Sequence, residues 1–244
     1  MRHIDEITVR QARADDVEAI VALEKTVYGP LGTACYGEEY VRAWLEVHPE
    51  GLTVAEAGGR VVGYQYSQIV DFEFDLWREF ATYDQATDHG YTKKSHRPDG
   101  NSVHSISLCS TESGAGRALI AGVFDLMRRL GKKYTVSQTR LAGFDAYLNS
   151  LDAAGVKIPD GASLDEVALW YALETARLVN GKIWPCLTRR PDLGLPPLNR
   201  PDPVAGKQLK NVGSGLVALL PGYMPDPQSR GYAVLLAKDN PDIP

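Results

Sequence analysis

Val103-His104-Ser105-Ile106-Ser107-Leu108-Cys109-Ser110-Thr111-Glu112-Ser113-Gly114-Ala115-Gly116-Arg117-Ala118-Leu119-Ile120 is the stretch from which the rest of this chain can be read. Its first seven residues alternate, with Val103, Ser105, Ser107 and Cys109 set against His104, Ile106 and Leu108, the period of a strand. Beyond Ala115 the period changes. Leu119, Val123, Leu126 and Leu130 recur at i, i+4, i+7 and i+11, the stripe of an amphipathic helix. Gly131 closes that helix after Arg128 and Arg129 in its last turn. Between strand and helix, Gly114 and Gly116 allow a ligand close to the backbone, and the helix start offers unpaired amides and positive dipole charge. Such a turn suits a phosphate or pyrophosphate, and it serves equally as an ordinary strand-to-helix connection. It fits neither Gly-x-Gly-x-x-Gly nor Gly-x-x-x-x-Gly-Lys-Ser/Thr, which disfavours a dinucleotide or an NTPase.

Working toward the N-terminus, Val61–Gln68 and Leu52–Ala57 read as two strands joined by the turn pair Gly58-Gly59. Glu38–Val47 reads as a helix with Tyr40, Trp44 and Val47 on one face. Val17, Ile20, Val21 and Leu23 mark an earlier helix, opened by Asp15 or Asp16, after a short strand at Ile7–Arg10. From Asp71 to Asn101 periodicity is lost apart from a short helical cluster at Phe72, Phe74, Leu76, Trp77 and Phe80. A loop of that length in a compact domain points to function. Toward the C-terminus, Tyr134–Gln138 is a strand and 145–180 is helical with a break at Pro159-Asp160-Gly161. Pro185–Pro203 is proline-rich and irregular. A short helix at Val204–Asn211 and strands at Leu216–Leu220 and Tyr232–Ala237 complete the order.

The chain has 244 residues, 44% of them apolar and 23% charged, the usage of an ordinary folded protein. That length fits one domain carrying insertions. A net charge of −5 disfavours nucleic acid as partner. Cys35, Cys109 and Cys186 have neither disulfide nor metal-ligand spacing, so no metal is expected. The start Met-Arg-His-Ile-Asp-Glu lacks the apolar run of a signal peptide, and the longest apolar stretch, Leu216–Leu220, is too short to span a bilayer. A cytoplasmic protein without membrane contact is expected.

The element order resembles the GNAT acyltransferase superfamily over about 1–70, 103–140 and 204–238. The family signature Arg/Gln-x-x-Gly-x-Gly/Ala falls on Thr111-Glu112-Ser113-Gly114-Ala115-Gly116, with Thr111 in place of the basic or amide residue. Gln208-Leu209-Lys210-Asn211-Val212-Gly213 resembles the family's last helix and its terminal glycine. Val61-Val62-Gly63-Tyr64-Gln65-Tyr66-Ser67-Gln68, Thr87-Asp88-His89-Gly90-Tyr91, Thr139-Arg140 and Pro221-Gly222-Tyr223 resemble the loading-module and stand-alone GNAT domains of polyketide and related natural-product pathways. The resemblance implies an α/β fold of GNAT type: a mixed, mostly antiparallel central sheet with a splayed strand pair, flanked by helices and carrying a helical insertion. It implies a single domain over 1–244, with insertions at about 71–102 and 141–203.

It also implies an enzyme that moves an acyl group from a pantetheine thioester, borne by acyl-CoA or by the phosphopantetheine of an acyl carrier protein, to an amine of a small metabolite. Ser110, Ser113, Gly114, Ala115, Gly116 and Arg117 would then hold the donor, and backbone amides near Leu108 and Cys109 would polarise its carbonyl. His104 is a candidate to take the amine's proton at neutral pH, with Asp71 and Glu73 as alternative bases and a satisfied, half-buried strand histidine as the plain structural reading. Cys109 reads as a packed strand thiol. The family's decarboxylating S-acyltransferases, which load acetyl from malonyl-CoA onto a carrier, need a threonine after the fifth strand and a histidine on the last helix. Thr139 meets the first requirement, whereas the helix shows Gln208 and Asn211, with Asn211 taken as the candidate site residue there. That activity ranks second, and a non-catalytic thioester-binding protein third. Arg128-Arg129, Lys132-Lys133 and Lys93-Lys94 are candidate docking charges for an acidic carrier, or simply solvated charge.

Overall fold

A computed structural model describes residues 6–32 and 35–243. Met1–Asp5, on which the start of the chain was read, lies outside the described residues. The chain packs as two compact units. The first holds Met1–Phe72, Tyr83–Val136 and Asp239–Pro244; the second holds Glu73–Thr82 and Ser137–Lys238.

The first unit contains β1 (Thr8–Gln11), α1 (Val17–Tyr28), α2 (Glu38–Val47), β2 (Leu52–Ala57), β3 (Arg60–Val70), α3 (Tyr83–Thr87), β4 (Ser102–Ser110) and α4 (Ala115–Arg129). Its strands lie in the order β1-β2-β3-β4, with the opening residues of β5 (Tyr134–Arg140) next. The β1–β2, β2–β3 and β3–β4 pairs are antiparallel. Gly58 and Gly59 turn the β2–β3 hairpin with φ of 56° and 75°, the left-handed geometry that a two-residue turn needs. One face of the sheet is covered by α1 and α2 around Ile20, Trp44, Tyr64 and Tyr66. Two further clusters join α4 to the sheet, one around Val62 and Leu119, the other around Ile69, Val123 and Met127.

The aperiodic block Asp71–Asn101 divides between the units. Phe74–Phe80 forms a 3-10 turn in the second. In the first, Asp88, His89, Gly90 and Thr92 all take positive φ. This loop is pinned: Trp44 Nε1 donates to the Gly90 carbonyl at 2.7 Å, and the Tyr66 and Thr92 hydroxyls are 2.8 Å apart. The last residues of the chain also pack here. Asn240 donates from its backbone to the Lys133 carbonyl (2.8 Å) and from its side chain to that of Lys132 (3.0 Å).

The second unit has the closing residues of β5, followed in sheet order by β8 (Ala233–Asp239, its last residue in the first unit), β7 (Gly215–Leu220) and β6 (Lys182–Ile183). β7 pairs antiparallel with β8 and parallel with β6, a two-residue strand that sequence periodicity does not reach. The helical stretch resolves into α5 (Phe144–Ala153) and α6 (Leu164–Leu178). Ser163 and Glu166 close a capping box at the start of α6, each satisfying the other's amide. Phe144, Leu148, Val167, Tyr171, Leu216 and Leu236 share one core. The expected helix at Val204–Asn211 is a short α7 (Ala205–Lys207) running into a π-helical turn, Gln208–Val212, which Gly213 ends at φ 72°. Among the described residues, no helix is long and apolar enough to cross a membrane.

Candidate functional site

β4 pairs with β3 from Ser102↔Val70 to Ser110↔Gly63, with one interruption. Ser105 faces Ser67 and Ser107 faces Tyr66, so Ile106 between them has no partner. This β-bulge bends the strand and re-aims the residues that follow it. The chain then turns through Thr111–Gly114. Both the N–H and the hydroxyl of Thr111 donate to the Val62 carbonyl, at 2.9 and 3.2 Å. Gly114 stands immediately before α4 with φ 93°, and a Cβ added there would meet no atom within 4 Å. Glycine is required here by backbone conformation, not by space. At Gly116 a Cβ would stand 3.2 Å from Ser110 Oγ, so glycine lets the first turn of α4 settle against the end of β4.

Ser113, Gly114 and Arg117 are exposed, and Ala115 is buried beneath them. By helix geometry the amides of Gly116 and Arg117 have no acceptor within α4. Arg117 makes no ion pair among the described residues. Ser110 and Ser113–Arg117 thus follow one another through the strand end, the turn and the first turn of α4, with Ser113, Gly114 and Arg117 as the exposed lip. Leu108 packs toward Val62 and Leu119, whereas Cys109 packs with Val17, Ile20 and Trp44. Burial first, and then the charge of Glu24, push the Cys109 thiol far above its ordinary range, so it is a core thiol.

His104 has no exposed surface. Gln68 Nε2 lies 3.0 Å from its Nδ1 and 2.8 Å from the Ala86 carbonyl, while Gln68 Oε1 accepts from Ser95 at 2.8 Å. Both amide hydrogens of Gln68 are thus spent as donors, which makes Nδ1 an acceptor and leaves the proton of a neutral ring on Nε2. Asp71 and Glu73 are exposed. Thr139 and Asn211 lie in the second unit: Thr139 is buried near the end of β5, and Asn211 is exposed in the π-helical turn. No hydrogen bond joins them among the described residues. Arg140, next to Thr139, donates to the buried Asp226 at 3.2 Å and to Gln228 at 2.8 Å. Most of the basic clusters are engaged within the first unit. Arg128 pairs with Asp125 and Asp242, Arg129 with Glu50, Lys93 with Glu46, and Lys132 donates to the Pro98 and Gly100 carbonyls.

One group at β4 was not singled out from the sequence. Glu24 of α1 is 1% exposed. Its Oε1 accepts from the Tyr64 hydroxyl and its Oε2 from the Tyr36 amide at 3.1 Å. Tyr64 Oη lies 2.7 Å from Ser107 Oγ, directly after the bulge, and one helical turn beyond Glu24 the Tyr28 hydroxyl donates to the Leu108 carbonyl at 2.8 Å. Burial raises the Glu24 carboxyl above its ordinary range against the pull of these donors, and it raises Tyr64 further still. The available signal was position: Glu24 follows Val17 by seven residues and Ile20 by four, which places it on the apolar stripe of α1.

No family model matches the chain. Two curated proteins of Bacillus subtilis (strain 168) do. An uncharacterized N-acetyltransferase, YkwB, is 28% identical over 131 residues, 51% of this chain and 57% of that protein. A probable hydrolase, YhcX, is 25% identical over 241 residues, 97% of this chain and 39% of that protein. The chain thus spans little more than half of one relative and well under half of the other. Among solved structures, the GphF GNAT-like decarboxylase in complex with isobutyryl-CoA superposes with a TM-score of 0.66 at 19% identity, covering 96% of this chain and 99% of that one. The loading GNATL domain of CurA from Lyngbya majuscula gives 0.63 at 16% identity, covering 97% and 98%. With its mixed sheet, flanking helices and glycine turn at the start of α4, the chain has the GNAT fold.

Proposed function

We propose that the chain is an acyltransferase that carries an acyl group directly from a pantetheine thioester, on CoA or on a carrier protein, to the amine of a small metabolite in natural-product biosynthesis. The observation that carries this reading is the bulged β4 running into the Gly114 turn and the open start of α4. Direct transfer asks little more than a held thioester, a polarised carbonyl and a nucleophile within about 3–3.5 Å. The lip at Ser110 and Ser113–Arg117 supplies amides and the Arg117 cation for phosphate, and backbone N–H groups near Leu108 and Cys109 are the polarising donors. His104 is the core residue that, through Gln68, fixes the strand below them. Both the fold and the B. subtilis N-acetyltransferase relative support the reading.

The test is mass spectrometry of acetyl-, malonyl- and isobutyryl-CoA, and of a holo-carrier bearing the same groups, incubated with a panel of primary amines. Transfer to an amine is expected, and Gly114→Val should weaken donor binding at least tenfold, about 1.4 kcal/mol. A folded protein that transfers from none of these donors sinks the proposal. Tight donor binding without transfer would instead fit a thioester-binding protein. A carrier that docks on the basic clusters has to draw most of their cations away from existing partners, so free CoA is expected to serve at least as well.

A second reading is favoured by Thr139 at the end of β5 and by what the two solved neighbours are called, a decarboxylase and a loading domain. In it the chain decarboxylates malonyl-CoA and loads acetyl onto a carrier thiol. Carbon dioxide release that Thr139→Ala abolishes would establish it. Gln208 and Asn211, standing in the π-helical turn without a histidine, place it second.

A further inference from the structure

Two hydroxyls and a carboxylate from α1, β3 and β4 stand in mutual hydrogen-bond contact. We propose that Ser107, Tyr64 and Glu24 form a proton relay, in which Ser107 takes the proton that the attacking amine gives up and Glu24 is the terminal base. The inference rests on the acyl-transfer reading and names the proton acceptor for that same site. An ionised carboxylate only accepts, so Tyr64 donates to Glu24 Oε1, which leaves the Tyr64 oxygen to accept from Ser107, 2.7 Å away. Ser107 Oγ also lies 3.5 Å from Glu24 Oε1, a longer contact than its 2.7 Å to Tyr64, so the route through Tyr64 is the shorter-bonded one. Its outer end, Ser107, is buried at 7% exposure and stands one residue beyond the bulge at Ile106.

Among the described residues, the groups facing Glu24 are Tyr64 from β3, Ser107 and Cys109 from β4, and Cys35 with the Tyr36 amide from the stretch before α2. None of them is a cation. A buried acid with only neutral donors around it contributes little as a structural ion pair, and its desolvation makes it a stronger base. His104, by contrast, has no exposed surface and its Nδ1 is already engaged by Gln68.

In the transfer, the amine nitrogen bonds to the thioester carbon and the C–S bond breaks with its electron pair going to sulfur. The amine proton passes to Ser107 Oγ while the Ser107 proton moves to Tyr64 and the Tyr64 proton to Glu24. Reversal of the same hops then hands that proton to the pantetheine thiolate. The net products are amide and free thiol, with Glu24 again ionised.

Two measurements test this. With acetyl-CoA and the best amine from the panel, Glu24→Gln and Tyr64→Phe should each lower kcat by about 100-fold or more, with donor KM within about threefold of wild type. The acidic limb of the kcat–pH profile should vanish in Glu24→Gln. Ser107→Ala, the smallest change, guards against loss of fold in the others and should show the same split. Infrared difference spectra between wild type and Glu24→Gln report the carboxyl itself, and Tyr64→Phe should raise its titration midpoint by removing a donor. Glu24→Gln within twofold of wild-type kcat overturns the relay, and so does a carboxyl midpoint that ignores Tyr64→Phe. A wild-type protein that moves no acyl group fails the parent reading and takes this inference with it. A working wild type beside an equally fast Glu24→Gln fails the inference alone.

Discussion

Two buried acids, each beside a tyrosine, are put to opposite uses in the two units. Glu24 in the first and Asp202 in the second are both 1% exposed. Asp202 spends its oxygens mainly on backbone: Oδ1 accepts from the amides of Val204 and Ala205 at 2.9 Å each, and Oδ2 from Gly143 at 2.8 Å and the Tyr171 hydroxyl at 3.2 Å. It therefore ties the proline-rich segment to the start of α5 and opens α7. Glu24 takes one backbone amide and otherwise faces hydroxyls, whose protons can move. Burial pushes both carboxyls above the ordinary range. What separates them is whether the donors are fixed amides or exchangeable O–H groups.

The largest effect that can break this contrast is at Asp202. Asp202→Ala would strand three backbone amides and a phenol, at a cost of about 3 kcal/mol or more of unfolding free energy in denaturant titration. A loss under about 1 kcal/mol would remove the stitching role. Smaller is the pH dependence. The folded carboxyl of Glu24 holds its proton more firmly than the unfolded one, so its contribution to stability is present below its ordinary value of 4.5 and is lost as pH rises through the raised folded value. Every tenfold gain in proton affinity on folding corresponds to about 1.4 kcal/mol, and Glu24→Gln should flatten that decline in melts taken across about pH 4–8. An unchanged slope would show that folding does not raise the Glu24 carboxyl. The smallest is Tyr171→Phe, which leaves the three amides of Asp202 in place and should cost about 1 kcal/mol. A loss as large as that of Asp202→Ala would mean that the phenol, not the backbone, dominates there.

The same contrast explains what was legible in the sequence. The strand, glycine turn and amphipathic helix at 102–129 were readable because alternation, positive-φ glycine and a 3.6-residue stripe are local signals. The hairpin at Gly58-Gly59 and the bounds of α2 and β2 follow for the same reason. The bulge at Ile106 left no local mark, since it exists only relative to β3. Asp202 lies between two prolines in a stretch with no period, and beyond the nearby Val204 and Ala205 its partners are 27 to 59 residues away. Glu24 was visible only as a charge on an apolar stripe, and its meaning depends on Tyr64 and Ser107, 40 and 83 residues along the chain. Sites assembled from distant hydroxyls are hidden from pattern reading, whereas sites assembled from one turn are open to it.

The attachment of Asn240 to Lys132 and Lys133 has a consequence for synthesis. The chain passes between the units at 72/73, 82/83, 136/137 and 238/239, so the first unit is not finished when its main strands and helices have left the ribosome. It waits for residues 239–243, more than a hundred positions later, before those two carbonyls find their donors. During that interval the Lys132 and Lys133 carbonyls after α4 lack these donors, and premature termination within Ser137–Lys238 would release both units incomplete.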